Sequence, residues 1–206
     1  MPRMTAEREA TERPTRFRTI LADPPWQYDN TFSGRAVGAA TQYPTLDMEA
    51  LCGLPVRDVA AKNCALFLWC TWPHDEDGLR LIRAWGFEPK TAIPWIKMSE
   101  AGVPRRGIGW HHHSCSEFLR IAVKGSLTPA VEDRLKAVIF CPIGRHSAKP
   151  DAQFDFCEAY GGPYLEMFAR PDGGLFPDRD NWTRIGNEID GLDITDALRR
   201  LAKGEL

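Results

Sequence analysis

Arg18-Thr19-Ile20-Leu21-Ala22-Asp23-Pro24-Pro25-Trp26 is the stretch on which the reading of the whole chain turns. Arg18 to Ala22 is a short apolar run that predicts a strand. It stops at an acidic residue followed by two prolines, which cannot continue a sheet ladder. A charged residue at such a stop lies at the carboxyl end of a strand, where open α/β sheets hold their ligands. The two prolines stiffen the turn. The Asp23 carboxylate and the Pro24 carbonyl thus become two preorganised hydrogen-bond acceptors, with the Trp26 ring beside them. Asp23, Pro24, Pro25 and Trp26 are the candidate catalytic residues.

Outward from this motif, short apolar runs alternate with amphipathic stretches. Thr45 to Leu51 predicts a short helix capped by Thr45 or Asp47. Cys64 to Cys70 reads as a buried strand. His74 to Trp85 reads as a helix whose stripe is Leu79, Leu81, Ile82 and Trp85, closed by Gly86. Thr91 to Lys97 predicts a strand that Pro94 makes irregular or an edge. Glu117 to Lys124, Ala137 to Cys141 and Tyr164 to Ala169 are further strands, with a last short one at Trp182 to Ile185. Asp151 to Tyr160 and Ile194 to Ala202 are helices. Interleaved strands and helices imply an α/β fold with a mostly parallel twisted sheet and helices on both faces. Residues 1–16 read as a flexible tail and 17–206 as a single domain. Residues 28–44 and 98–116 break the rhythm as long Gly-bearing segments, which suits substrate-facing loops.

The 206 residues carry a net charge of -2 and 43% hydrophobic residues. That supports one globular domain and argues against a strongly clamping nucleic-acid binder, which would leave a basic footprint. Six cysteines without a C-x-x-C pair are not a disulfide framework. No apolar run reaches the ~18 residues of a membrane span, and the charged N-terminus lacks a signal-peptide core. A cytoplasmic, reducing setting away from membranes is expected. His111-His112-His113 invites a metal reading. Consecutive side chains on extended backbone point to opposite faces, so no metal site is expected. No G-x-G-x-x-G or G-x-x-x-x-G-K-[ST] follows the first strand, against a dinucleotide or triphosphate enzyme.

Further segments recur in a particular order. They are Ala22 to Trp26, Tyr43-Pro-Thr-Leu46, Leu66-Phe-Leu-Trp69, Trp85-Gly-Phe87, Trp95-Ile-Lys97, Gly107-Ile-Gly-Trp110 and Glu117 through Gly125. His146 to Asp151, Leu165 to Arg170 and Trp182 to Glu188 complete the series. In this order they resemble the MT-A70 family of adenine-N6 methyltransferases, over roughly residues 17 to 191. The resemblance implies a Rossmann-like class I methyltransferase fold with permuted motif order: catalytic turn first, cofactor-binding segments last.

The resemblance also implies S-adenosyl-L-methionine as cofactor. Lys149 matches the lysine that pairs with the cofactor's carboxylate. Asp23, Glu166, Phe168, Arg170, Asn187 and Glu188 match cofactor-lining positions. The family's messenger-RNA enzyme has glutamine where this chain has Glu188, and His-Asn where it has Asp172-Gly173. The adenine amine is a poor nucleophile because its lone pair is delocalised into the ring. Two acceptors at its N–H groups, the Asp23 carboxylate and the Pro24 carbonyl, would free that pair, with the base stacked on Trp26. Tyr28, Lys97, Arg105, Arg106, His111 and His113 are candidate substrate contacts beside Trp26, and Glu117 reads as a structural hydrogen-bonding residue. The implied partner is nucleic acid, DNA rather than RNA, and a homodimer or a partner subunit is compatible with the sequence. The competing reading is an inactive nucleic-acid-binding subunit. Such a subunit would lose the Asp23 turn, which this chain keeps.

Overall fold

The strand that leads into the motif lies in the interior of the sheet. A computed structural model describes residues 16–26, 31–32, 35–36, 46–107, 111–144, 148–171 and 181–206. Strands β1 (Phe17–Ala22), β4 (Ala60–Cys70), β5 (Glu88–Met98), β6 (Ser116–Lys124), β7 (Ile139–Pro142), β8 (Tyr164–Met167) and β9 (Trp182–Ile185) form one seven-stranded sheet. Its order is β7-β5-β6-β4-β1-β8-β9. A separate two-stranded ribbon pairs β2 (Thr31–Phe32) with β3 (Arg35–Ala36), inside the segment expected to be an irregular loop.

β1 is paired in parallel with β4 on one side and β8 on the other, and β8 continues in parallel to β9. β5 and β7 are also parallel. The exception is β6, which runs antiparallel to both β4 and β5. The sheet is therefore mostly parallel, as expected. The chain starts at interior strand β1, builds outward to β7, then returns to add β8 and β9 on the opposite side. That path is the permuted order the resemblance implies.

Alternation along the strands divides the core in two. Ile20, Ala22, Cys64, Leu66, Leu68, Leu165 and Met167 face α1 (Met48–Cys52), α2 (Val56–Val59), α3 (Asp75–Ala84) and α6 (Ile194–Lys203). Leu21, Ala65, Phe67, Trp69, Ile93, Trp95, Leu119 and Ile121 face α4 (Ala152–Glu158) on the other side. Helices thus cover both faces, though unequally.

Of the two caps the sequence offers for α1, Asp47 serves, its Oδ1 accepting from the Ala50 N–H at 2.7 Å. One local expectation changes. β5 is an interior strand despite Pro94. The proline lies opposite Phe118 of β6, while pairing to β7 begins one residue later at Trp95, so its missing N–H breaks no ladder bond on that side. α2 and a short helix α5 (Asn187–Asp190) carry too few periodic residues to be read from sequence.

α3 lies close on the end of β4 because residue 78 is glycine. A Cβ there would meet Cys70 Sγ at 2.5 Å. An alanine in a helix interior normally adds about 1 kcal/mol over glycine. Here Gly78→Ala is expected to cost about 1–3 kcal/mol by overpacking, and to cost less when Cys70 is also alanine. Urea denaturation checks this, and a stabilised Gly78→Ala single variant would contradict the packing.

Candidate active site

Residues at the carboxyl ends of the parallel strands converge with those at the start of antiparallel β6. Asp23 follows β1, Lys97 is near the end of β5, Glu117 is near the start of β6, and Lys149 precedes α4. Lys149 Nζ donates to Asp23 Oδ2 at 2.7 Å and lies 3.6 Å from Glu117 Oε2. Lys97 Nζ donates to Glu117 Oε1 at 2.5 Å. The result is a chain of alternating charge, Asp23–Lys149–Glu117–Lys97, spread over four separate segments. Both ammonium groups also sit over indole rings, Lys149 above Trp69 and Lys97 above Trp95. The two lysines and Glu117 are mostly shielded from solvent, whereas the Asp23 side chain keeps 37% of its surface exposed. The carboxylate that the turn presents is therefore held by a half-buried cation yet open to a ligand.

The turn itself is built to be stiff. The Trp26 N–H donates to the Pro24 carbonyl at 2.9 Å, closing a three-residue turn around Pro25. That carbonyl retains a second lone pair for another donor. Trp26 is turned inward and is only 5% exposed. Its indole N–H donates to the Trp69 carbonyl at 3.1 Å, and its ring stacks on His74 at 5.3 Å and 14°. The expected stacking face for a substrate is thus occupied by His74, and Trp26 anchors the turn from below. His74 in turn contacts Asp77 through Nδ1 at 2.9 Å. Burial pushes the neighbouring Cys70 thiol up to about 12, which keeps it protonated and unreactive at neutral pH.

A second cluster lies where β8 and β9 end. Phe168 adopts φ 60°, a left-handed backbone that a bulky residue takes only under constraint. The exits of the two strands nearly touch. A Cβ on Gly186 would come within 2.4 Å of the Ala169 carbonyl oxygen, and the Ala169 N–H donates to Ile185 O at 3.0 Å. Glu166 is bound by Arg184 Nε at 2.7 Å across the β8–β9 pair, and the same guanidinium donates to the Arg170 carbonyl at 2.8 Å. Asn187 and Glu188 are exposed in the first turn of α5, just after this close approach.

The family model described as MT-A70 matches residues 17–188. The chain belongs to the MT-A70 family. It is 32% identical to the type II methyltransferase M.MunI of Mycoplasma over 201 residues, covering 88% of this chain and 79% of that one. It is 27% identical to human METTL3, an N(6)-adenosine-methyltransferase catalytic subunit, over 88% of this chain and 30% of METTL3. It is 28% identical to human METTL4, an N(6)-adenine-specific methyltransferase, over 84% of this chain and 37% of METTL4.

In this MT-A70 chain the structure brings Asp23, Lys149 and Lys97 into one network and sets Glu166, Phe168, Arg170, Asn187 and Glu188 around a second. Tyr28 lies outside the described residues. Arg105, Arg106, His111, His112 and His113 are exposed, on the segment joining β5 to β6. Part of that segment is a tight hairpin rather than an irregular loop. Ser99 N–H donates to Val103 O at 2.8 Å and Arg105 N–H to Lys97 O at 2.6 Å. Among the described residues no three His, Cys, Asp or Glu side chains group as metal ligands. Glu117, Arg184 and His74 have site-shaping contacts that composition does not signal. Only the fold shows Glu117 between two lysines, although a lone acid at the start of an apolar strand is a weak hint.

Glu117 is the shared partner of two ammonium groups, so its loss is expected to be coupled to theirs. In a double-mutant cycle, Glu117→Gln and Lys149→Met should interact by about 1 kcal/mol in chemical denaturation. Strictly additive losses would show that the charge chain carries no shared energy.

Proposed function

We propose that this chain transfers the methyl group of S-adenosyl-L-methionine to N6 of adenine in DNA. The observation that carries this reading is the Asp23 turn. An accessible carboxylate and a carbonyl with a lone pair to spare are fixed side by side at the carboxyl end of interior strand β1, in a chain of the MT-A70 family. The two acceptors take the two N–H groups of the target amine, draw the nitrogen toward a tetrahedral shape and free its lone pair. When bound, S-adenosyl-L-methionine would supply a methyl carbon on a sulfonium, whose C–S bond would break as the amine nitrogen takes the carbon, leaving a neutral thioether. The amine then carries one proton too many, and Asp23, already hydrogen-bonded to it and open to solvent, is placed to pass that proton on.

The residues present fit the cofactor. The near contact of Gly186 with Ala169 leaves no side chain between the β8 and β9 exits, and Phe168 is strained beside them. Asn187 and Glu188 offer a donor and an acceptor for ribose hydroxyls, and Lys149 offers an ammonium for the cofactor carboxylate. Glu166 would act through Arg184, which holds the Arg170 backbone.

DNA is chosen over RNA because the match to the Mycoplasma type II methyltransferase covers most of both chains, whereas METTL3 and METTL4 are matched over about a third of their length. The base must leave its stack to reach the turn, so single strands should be better substrates than intact duplex. Lys97, Arg105, Arg106, His111 and His113 would meet the strand. Six cysteines without a C-x-x-C pair suit a reducing compartment, and no helix among the described residues is long and apolar enough to cross a membrane.

Two measurements check this reading. Calorimetry with S-adenosylhomocysteine should show binding that Lys149→Ala weakens by about 1.5–3 kcal/mol. Unchanged affinity would remove Lys149 from the site. Radiolabelled methyl transfer should favour adenine-containing single-stranded DNA over duplex and over matched RNA, and should fall as salt rises. Methylation of RNA alone would overturn the DNA assignment. No transfer to any oligomer despite bound cofactor would overturn the reading of this chain as a methyltransferase acting alone and favour a subunit of a larger complex.

A further inference from the structure

The chain has seven tryptophans. Trp26, Trp69, Trp85, Trp95 and Trp182 are buried, and Trp110 lies outside the described residues. Trp72 stands apart at 55% exposed. A large aromatic ring left in water is a cost unless something covers it in the working state. This ring is nonetheless held firmly. Its indole N–H donates to Ser116 Oγ at 2.9 Å, and its edge packs on Phe118 at 4.6 Å and 45°. It opens a tight 3-10 turn, Trp72–His74, whose second residue is proline.

Its position is the mouth of the candidate site. The turn leaves the carboxyl end of β4, and its third residue, His74, is the ring stacked on Trp26 of the catalytic turn. Ser116, its hydrogen-bond partner, directly precedes Glu117 of the charge chain. The exposed Arg105, Arg106 and His111 to His113 enter the same rim, because the backbone at Lys97 bonds to both Arg105 and Cys115. A rigid exposed ring beside exposed cationic side chains is the arrangement by which proteins hold single-stranded nucleic acid, the base stacking and the backbone neutralised.

Resting on the proposed nucleic-acid methylation, we propose that Trp72 is a stacking platform for an unpaired base of the substrate strand, next to the adenine that enters the Asp23 turn. It is a substrate-positioning residue and takes no part in the methyl transfer. Trp26, sealed under His74, cannot serve as that surface; Trp72 can.

The test uses the full chain and short single-stranded DNA oligomers with one adenine. Trp72→Ala is expected to raise the oligomer Kd roughly 5- to 100-fold, with S-adenosylhomocysteine affinity unchanged, while Trp72→Phe retains most of the binding. Trp72→Leu, which keeps apolar volume against Phe118, replaces the alanine variant should that one fail to fold. The oligomers are then made abasic one position at a time. One flanking position should weaken wild-type binding strongly and leave the Trp72→Ala or Trp72→Leu protein nearly unaffected. Unchanged binding in the variants, or a loss coupled to no position, would overturn the stacking role and leave the methylation reading intact. Failure of the wild type to bind or methylate any oligomer would overturn that reading and this inference with it.

Discussion

Asp23 stands where it does because β1 is hydrogen-bonded on both sides by parallel strands. β4 and β8 hold the strand in register up to Ala22, the last residue before the turn. Parallel pairing aligns the ends of all three strands. Everything the site needs must then arrive at one edge of the sheet. Lys149 reaches that edge from 126 residues along the chain, and its 2.7 Å contact with Asp23 joins the start of the fold to its second half. The motif makes the acceptors. The sheet makes them meet their cation.

A division of labour follows between the two rings of the candidate site. An exposed Trp26 would have been free to stack on a base but poor at fixing the turn. Buried under His74 and bonded to the Trp69 carbonyl, it makes Pro24 and Asp23 rigid, which is where preorganised electrostatics draws its effect. The stacking surface is displaced to the rim at Trp72. The packing of α3 through Gly78 keeps that rim close, since the 3-10 turn bearing Trp72 and His74 leads directly into the helix.

Much of this was legible in the sequence because the information is local. A strand ending in Asp-Pro-Pro announces its own geometry, and β9 was readable to the residue from its apolar ends, Trp182 and Ile185, with Gly186 after them. Apolar alternation in β4 and the stripe on α3 each report one face of one element. What could not be read depends on partners remote in sequence. Nothing near Trp26 says that His74 will cover it. Nothing near Glu117 says that lysines 20 residues before it and 32 after it will share it. The antiparallel sense of β6 was also hidden, although the lack of a helix between β5 and β6 is the trace it leaves. Pro94 misled for a related reason: whether a missing N–H matters depends on where the neighbouring strand begins.

The central claim is that the Asp23 turn activates an adenine amine. It is tested most directly by digesting methylated single-stranded DNA to nucleosides after reaction with wild type and with Asp23→Ala, and identifying the product by mass spectrometry. The expected result is N6-methyldeoxyadenosine from wild type and none from the variant, with the variant still folded and still binding S-adenosylhomocysteine. A near-wild-type yield from Asp23→Ala, or a methyl group on any other atom of the bases, would contradict it.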